Sequence, residues 1–208
     1  MVCQDLMTTI NQRTGRVTRG FYMDAALKYY IDNSLIKAVQ QKWDSIVLCS
    51  GPEGVGKTTL ASQCCKYISS VVGQPFCHNK VPTEIVFTQT QLMELIDSSP
   101  PYGIIQFDEA ALASLSQDAA TAMQIALIKK FITIRKKRLF IFMLLPSIFL
   151  LRKYFAIFRT RCCIHASTPD GITRGFFKFY SYDTKRLLYI RGISEFDQAA
   201  VNPDYNGE

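Results

Sequence analysis

The chain has 208 residues, of which 48% are hydrophobic and 20% charged, a balance that predicts a globular protein with its own core and excludes a disordered one. The N-terminus has no basic segment followed by an apolar one, so we expect a protein that is not exported. The net charge of +7 is uneven, because residues 1–110 hold 9 Lys/Arg and 10 Asp/Glu whereas residues 111–208 hold 15 and 7.

The first predicted elements are a helix and a strand that lead into a glycine-rich loop. Residues 23–43 have the apolar spacing of an amphipathic helix, with Tyr22, Ala26, Tyr29, Ile36 and Val39 on or near one stripe. The apolar run 45–50 predicts a buried strand, and residues 59–72 predict a helix. Strand, loop and helix together are the context in which a phosphate-binding loop occurs.

The loop between them matches the pattern G-x-x-x-x-G-K-[ST] at residues 51–58. Its glycines allow backbone N–H groups to surround an anion, and the following helix adds its positive N-terminal end. We expect Lys57 to reach the β- and γ-phosphates and the Thr58 hydroxyl to bind Mg²⁺. The alternative to a phosphate-binding loop is a glycine turn that connects two buried elements and binds no ligand. The predicted nucleotide-binding residues are Gly51, Pro52, Glu53, Gly54, Val55, Gly56, Lys57, Thr58 and Thr59.

A second nucleotide element is the apolar segment 102–109, which ends in Asp108-Glu109. Such a strand predicts Asp108 in the Mg²⁺ shell and Glu109 as the catalytic base that polarises the attacking water. The alternative is an apolar strand that happens to end in an acid before a turn. The strand candidate 84–88 lies between this segment and the loop, an arrangement that resembles the RecA/AAA+-like ATPases. In kinases and GTPases the two motif strands are neighbours.

Residues 79–82 read Asn-Lys-Val-Pro, so proline stands where the base-reading motif of GTPases has aspartate. Together with the strand arrangement, this favours ATP and Mg²⁺ as cofactors, and ATP hydrolysis over GTP switching or small-molecule phosphorylation.

The rest of the chain predicts alternating helices and strands. Helices are expected at 89–96, 118–134 and 148–155, strands at 139–145 and 161–166, and a hairpin from 176–182 and 186–191. The predicted fold class is α/β: a RecA-like P-loop NTPase with a mainly parallel central sheet flanked by helices and a C-terminal β-hairpin. The predicted units are an N-terminal helical extension (1–42), the ATPase domain (43–195) and a tail (196–208).

Cysteines and the longest apolar stretch indicate the compartment. Cys49, Cys162 and Cys163 lie in apolar runs, as reduced core thiols of a cytoplasmic protein do. A metal site would have to combine Cys77-His78 with Cys163 and His165, and neither pair has zinc-ligand spacing. The apolar stretch 139–151 is shorter than the ~20 residues of a membrane-spanning helix.

No acidic residue occurs between Asp118 and Asp170, and the basic residues of that window indicate a surface for a polyanion. The non-functional alternative is a basic surface without a binding partner.

The order of a basic helix end, a buried strand, Pro146-Ser147, a short helix and Arg159-Thr160-Arg161 resembles the FtsK–HerA superfamily of DNA translocases. That superfamily includes small genome-packaging ATPases of viruses with internal membranes. Leu144 stands where the superfamily usually has a sensing glutamine, and Ser147 is the nearest polar substitute.

The resemblance implies a ring-shaped homo-oligomer that moves double-stranded DNA, in the host cytoplasm or at a virion vertex, with a capsid or membrane-protein partner. It also implies an arginine that reaches the γ-phosphate of the neighbouring subunit, and the candidates are Arg135, Arg138, Arg159 and Arg161. Three alternatives stay open: an AAA+-type loader or replication ATPase, a membrane-associated phage assembly ATPase like the zonula-occludens-toxin-like proteins, and a slowly hydrolysing structural or regulatory subunit. The predicted strands at 174–191 argue against a loader, which normally has a C-terminal helical lid.

Overall fold

A six-stranded sheet forms the centre of the protein. The computed structural model describes residues 8–10, 17–19, 23–76, 84–108, 125–126, 129–131, 134–151 and 153–201. The strands are β1 (Thr8–Ile10), β2 (Val17–Arg19), β3 (Ser45–Ser50), β4 (Ile85–Val86), β5 (Ile104–Asp108), β6 (Phe140–Leu145), β7 (Cys162–Ser167) and β8 (Phe176–Tyr180). β1 and β2 pair with each other, and the other six are ordered β4-β5-β6-β3-β7-β8.

Strands β3 to β7 all pair in parallel, and only the last pair of the sheet, β7 with β8, is antiparallel. The predicted mainly parallel sheet is therefore confirmed. β6 lies between β3, which precedes the glycine loop, and β5, which ends in Asp108. The two motif strands are thus not neighbours, as the resemblance to the RecA/AAA+-like group implied. The strand between them is β6, whereas the predicted intervening strand 84–88 is β4, which lies beyond β5 at the edge of the sheet.

The helices cover both faces of this sheet. They are α1 (Ala25–Tyr30), which continues through a π-helical stretch (Ile31–Ile36) into α2 (Lys37–Gln40), then α3 (Lys57–Val72), α4 (Gln89–Ser98) and α5 (Tyr182–Val201). Shorter turns are the 3₁₀ segments Ile134–Lys137 and Ile148–Leu150 and the π-helical segment Tyr154–Arg159. Asp24 begins α1 because its carboxylate accepts from the N–H groups of Ala26 and Leu27.

Alternate residues of β3 face two separate hydrophobic clusters. Ile46 and Leu48 face one cluster with α4, α5 and the segment Tyr154–Arg159. Val47 and Cys49 face the other with α1, α2 and α3. A strand buried on both sides is what its uninterrupted apolar sequence requires. The five described cysteines are free and buried.

The C-terminal prediction is wrong in part. A hairpin exists, but it pairs β7 with β8, and the predicted second strand 186–191 lies inside α5. The physical reason is that positions 185, 189 and 192, which are spaced as on one face of a helix, pack against the rest of the protein. Lys185 and Tyr189 are buried, and a side chain at Gly192 would meet the Phe149 ring. The strand-based argument against a loader therefore no longer holds.

Smaller differences concern helix form and limits. The predicted helix 148–155 is split into a 3₁₀ turn and a π-helical segment, because Leu151 between them has an extended backbone. Much of the predicted helix 118–134 lies outside the described residues. The predicted units 1–42, 43–195 and 196–208 stay a prediction, although β1 and β2 are strands and α5 crosses residue 195. No helix in the described ranges has the length and hydrophobicity needed to span a membrane, and 139–151 forms β6 and a 3₁₀ turn.

Candidate nucleotide site

The glycine loop lies at the carboxyl edge of the parallel sheet, between the end of β3 and the start of α3. The Gly51 N–H donates to the carbonyl of Pro146, which ties the loop to the end of β6. Gly51 has a φ of 142°, and a Cβ there would be 2.3 Å from the carbonyl oxygen of Ala166. Only glycine allows this close approach of two backbones, so the first glycine of the motif is required by packing.

The first turn of α3 offers its N–H groups to a ligand. Gly56 is the N-cap residue, with a φ of 96°, and it has no side chain with which to cap the helix. The N-terminal N–H groups of a helix have no partner within the helix, and the helix dipole makes this end positive. Such a terminus binds phosphate oxygens.

Lys57 lies across the loop. Its ammonium donates to the carbonyls of Gly51 and Pro52, each at 2.6 Å. Burial lowers the pKa of Lys57, and the nearby carboxylates of Asp108 and Glu53 act in the opposite direction. The structure thus holds the cation within the loop, where a bound phosphate would accept its hydrogen bonds.

Thr58 and Asp108 meet although they are 50 residues apart. The Thr58 hydroxyl donates to Asp108 Oδ2 at 2.7 Å. A hydroxyl and a carboxylate oxygen are ligands that Mg²⁺ accepts, and Mg²⁺ usually keeps waters and substrate phosphates for its other positions. No group of three His, Cys, Asp or Glu side chains in the described part of the chain forms a closed metal cage. The residues therefore fit a Mg²⁺ ion bound together with a nucleotide.

Gln106 supports this pair and was not predicted. It is fully buried in β5, accepts from the Ser62 hydroxyl at 2.8 Å and donates to the Thr58 carbonyl at 3.4 Å. It therefore ties the first turns of α3 to the strand that carries Asp108. The available signal was a polar side chain in an apolar strand, two residues before Asp108 and so on the same face.

His165 was considered only as a metal ligand, and it lies beside the loop instead. Its Nδ1 is 3.0 Å from the hydroxyl of Ser50, the last residue of β3. Burial lowers the pKa of His165, and the charges of Lys178 and Lys57 lower it further. A neutral imidazole fits this position next to the loop lysine. The other half of the predicted metal pair, Cys77-His78, lies outside the described residues.

The predicted residues are only partly brought together. Lys57, Thr58 and Asp108 share the carboxyl edge, whereas Glu109 lies outside the described residues. Leu144 and Leu145 are buried in β6. The hydroxyl of Ser147, the polar residue nearest to the missing glutamine, accepts from the Phe149 N–H and caps a 3₁₀ turn.

The four candidate arginines lie at the opposite, amino-terminal edge of the sheet. Arg138 precedes β6, and Arg159 and Arg161 precede β7. Arg135 stacks on Trp43, which precedes β3. No candidate is therefore close to the glycine loop of its own chain, and a role as the finger would have to be toward another subunit.

Three of these arginines have hydrogen-bond partners within the subunit, and Arg161 Nε donates to the Asp44 carbonyl at 3.2 Å. Arg159 is bidentate to the buried carboxylate of Asp44 and donates to the Phe131 carbonyl at 2.6 Å. Arg138 donates to the Tyr102 hydroxyl at 2.6 Å. Arg159 is thus held inside the subunit, which makes it the least suitable of the four as a finger.

A cavity of about 370 Å³ opens beside the first turn of α3. Val55, Gly56, Thr59 and Leu60 form one wall, and α1 and the segment 174–177 form the others. Its volume is within the range of small-ligand pockets. Its position next to the loop suits the nucleoside part of a nucleotide.

No protein-family model matches the chain, and a comparison with the curated proteins gives no match. Among solved structures, the chain is similar to the X-ray structure of the Legionella pneumophila ATPase DotB, with 12% identity and a TM-score of 0.45. The likeness covers 90% of this chain and 62% of DotB, so the chain spans less than two thirds of that protein. A similarity of this size does not establish a function.

Proposed function

We propose that this chain is a P-loop ATPase whose hydrolysis of ATP drives the translocation of double-stranded DNA. The observation that carries the ATPase proposal is the Thr58–Asp108 contact of 2.7 Å at the mouth of the glycine loop. A glycine turn without function would not require a strand 50 residues later to deliver a carboxylate to the same point.

The strand order supports hydrolysis over phosphate transfer to a small molecule. β6 separates β3 from β5, as in the RecA/AAA+-like ATPases that the sequence resembles. In this arrangement Lys57 binds the β- and γ-phosphates, and Thr58 and Asp108 hold Mg²⁺. The ion, when bound, neutralises charge that develops on the phosphates. Glu109, the residue after β5, is proposed as the base for the attacking water.

The proposed work on DNA rests on the acid-free stretch between Asp118 and Asp170. Lys130 and Arg159 of this stretch are paired with Asp97 and Asp44, whereas Arg135 and Lys136 are exposed. Exposed cations attract a polyanion, and duplex DNA carries one negative charge per about 1.7 Å of its axis. We propose a homo-oligomeric ring related to the FtsK–HerA translocases, with Arg135, Arg138 or Arg161 as candidates for the residue that reaches a neighbour's nucleotide. A capsid or membrane protein is the proposed docking partner.

ATP turnover with and without linear duplex DNA tests both parts of the proposal. Turnover should increase with duplex DNA at low salt and should lose that increase at high salt. Glu109→Gln should lower turnover by roughly 10²- to 10⁴-fold while nucleotide binding persists. Lys66→Gln, which removes a cation from α3 outside the loop, is the matched control for Lys57→Gln.

The outcomes separate the alternatives. Turnover that survives Lys57→Gln and Glu109→Gln would refute the assignment of the site. Turnover that depends on both residues but does not respond to DNA would leave an ATPase and refute the translocase. Stimulation by a partner protein without DNA would indicate a loader, and stimulation by membranes would indicate an assembly ATPase.

A further inference from the structure

The amino-terminal edge of the sheet carries a tryptophan with an arginine stacked on it. Trp43 is 45% exposed although tryptophan is a large apolar residue. The guanidinium carbon of Arg135 is 3.6 Å from the centre of the indole ring, and that of Arg161 is 5.7 Å away. The three residues are far apart in sequence and meet because their segments precede adjacent strands, β3, β6 and β7.

The exposed cations at this edge have no salt bridge among the described residues. Lys42 and Lys136, next in sequence to Trp43 and Arg135, are exposed. Asp44 is buried and paired with Arg159, and the other salt bridge found in the described part of the chain joins Asp97 to Lys130. Arg135 thus has no salt bridge among the residues that the structure describes. Arg161 Nε donates to the Asp44 carbonyl at 3.2 Å, and the Asp44 carboxylate partly offsets its charge.

An arginine stacked on an aromatic ring keeps the N–H groups at its edge available. The guanidinium uses its flat face for the ring and its in-plane donors for a second ligand, and those donors match the oxygens of a phosphate. Stacking also reduces the freedom of the side chain before binding, which lowers the entropic cost of the contact. Trp43 is therefore a positioning residue for Arg135.

We propose that the tryptophan edge (Lys42, Trp43, Arg135, Lys136 and Arg161) is a binding surface for the phosphate backbone of duplex DNA. Proteins that bind single strands stack bases on open aromatic faces, whereas Arg135 already covers one face of the only aromatic ring in this set. Phosphate contacts without base stacking suit a duplex. The inference rests on the proposed function in its choice of duplex DNA.

The tryptophan edge is at the end of the sheet opposite to the glycine loop. Binding of DNA there needs no nucleotide, so a titration without ATP or Mg²⁺ tests the surface by itself. Failure of the ATPase proposal would leave this DNA titration unchanged. Failure of the proposed DNA surface would leave ATP turnover in the absence of DNA unchanged, so the two failures are distinguished.

Trp43 is the only tryptophan in the chain, so its fluorescence reports on this surface alone. We expect a 30-base-pair duplex to change the fluorescence in parallel with the anisotropy of the labelled DNA. Arg135→Gln should weaken binding about tenfold and reduce the slope of log K against log salt by about 1. The matched control is Lys28→Gln on α1, which removes a cation that lies 5.4 Å from the ring of Tyr67 on α3.

Trp43→Phe and Trp43→Leu separate positioning from structure in the anisotropy assay. Phenylalanine retains an aromatic face for Arg135 and should retain most of the affinity, whereas leucine should weaken binding toward the level of Arg135→Gln. Three results would overturn the proposal: saturation with duplex without a change in Trp43 fluorescence, equal losses in Arg135→Gln and Lys28→Gln, or tighter binding of a single strand or of phosphatidylserine vesicles than of the duplex.

Discussion

Replacing Arg159 by Met removes one partner of a buried ion pair. The Asp44 side chain is 2% exposed and that of Arg159 is 15% exposed, and the guanidinium contacts both carboxylate oxygens. Without Arg159, the Asp44 carboxylate stays buried without its bidentate partner, and the Phe131 carbonyl loses a donor. Breaking a buried pair in this way costs about 3–5 kcal/mol of the free energy of unfolding.

Urea denaturation followed by circular dichroism measures this loss. With a slope of about 2–3 kcal/mol per M for a chain of this size, the midpoint should fall by roughly 1–2 M. Arg186→Met, on the exposed side of α5, is the matched control and should change the free energy of unfolding by less than about 0.5 kcal/mol. If Arg159→Met unfolds at the wild-type midpoint but abolishes ATP turnover, the residue acts on the nucleotide and our structural assignment is wrong.

Three further predictions concern the site and the core. Gln106→Leu leaves the buried Ser62 hydroxyl without its acceptor, so it should lower stability by about 1–3 kcal/mol and raise the Mg²⁺ concentration for half-maximal turnover, whereas Ser62→Ala should do neither as strongly. Gly51→Ala should abolish nucleotide binding because its Cβ would meet the Ala166 carbonyl at 2.3 Å. Gly54→Ala has open space around it and is strained only by its φ of 75°, so it should bind more weakly than wild type but measurably in the same calorimetric titration. The free energy of unfolding should fall as pH rises above about 8.5, because burial raises the pKa of the buried thiols while unfolded thiols ionise there. These thiols are Cys49, Cys64, Cys65, Cys162 and Cys163. Lys185 acts in the opposite direction, since burial lowers its pKa to about 8 and the stability that it costs is regained as pH rises from there toward about 10.4. Lys185→Met should therefore make the alkaline fall steeper. A flat profile of Lys185→Met between pH 8 and pH 10 would contradict the thiol assignment, and equal slopes in the two proteins would contradict that of Lys185.

Part of the candidate site could be predicted because short motifs of consecutive residues encode it. The glycine loop was predictable because eight consecutive residues, 51–58, contain its glycines, its lysine and the start of the following helix. The apolar runs of β3 and β6 and the mostly apolar run of β5 predicted buried parallel strands, because strands covered on both faces need few polar positions. The sequence also placed Asp108 at the carboxyl end of its strand, from which its contact with Thr58 follows once both strands lie in one parallel sheet.

Only the tertiary structure decided which distant side chains meet. Residues 187–190 are four consecutive apolar residues between Arg186 and Arg191, so neither a two-residue nor a helical period stands out. The helix of α5 becomes evident only when Lys185 and Tyr189 are seen to be buried on one face.

The arginines before β7 read alike in sequence, yet the acid at position 44, 115 residues earlier, takes Arg159 into the interior and leaves Arg161 at the surface beside Trp43. The sequence by itself therefore determined the glycine loop, the strand end that carries Asp108 and the parallel sheet, because each depends on a short motif or on an apolar strand. The roles of the basic residues depend on packing between segments more than a hundred residues apart, and no local pattern encodes such a contact.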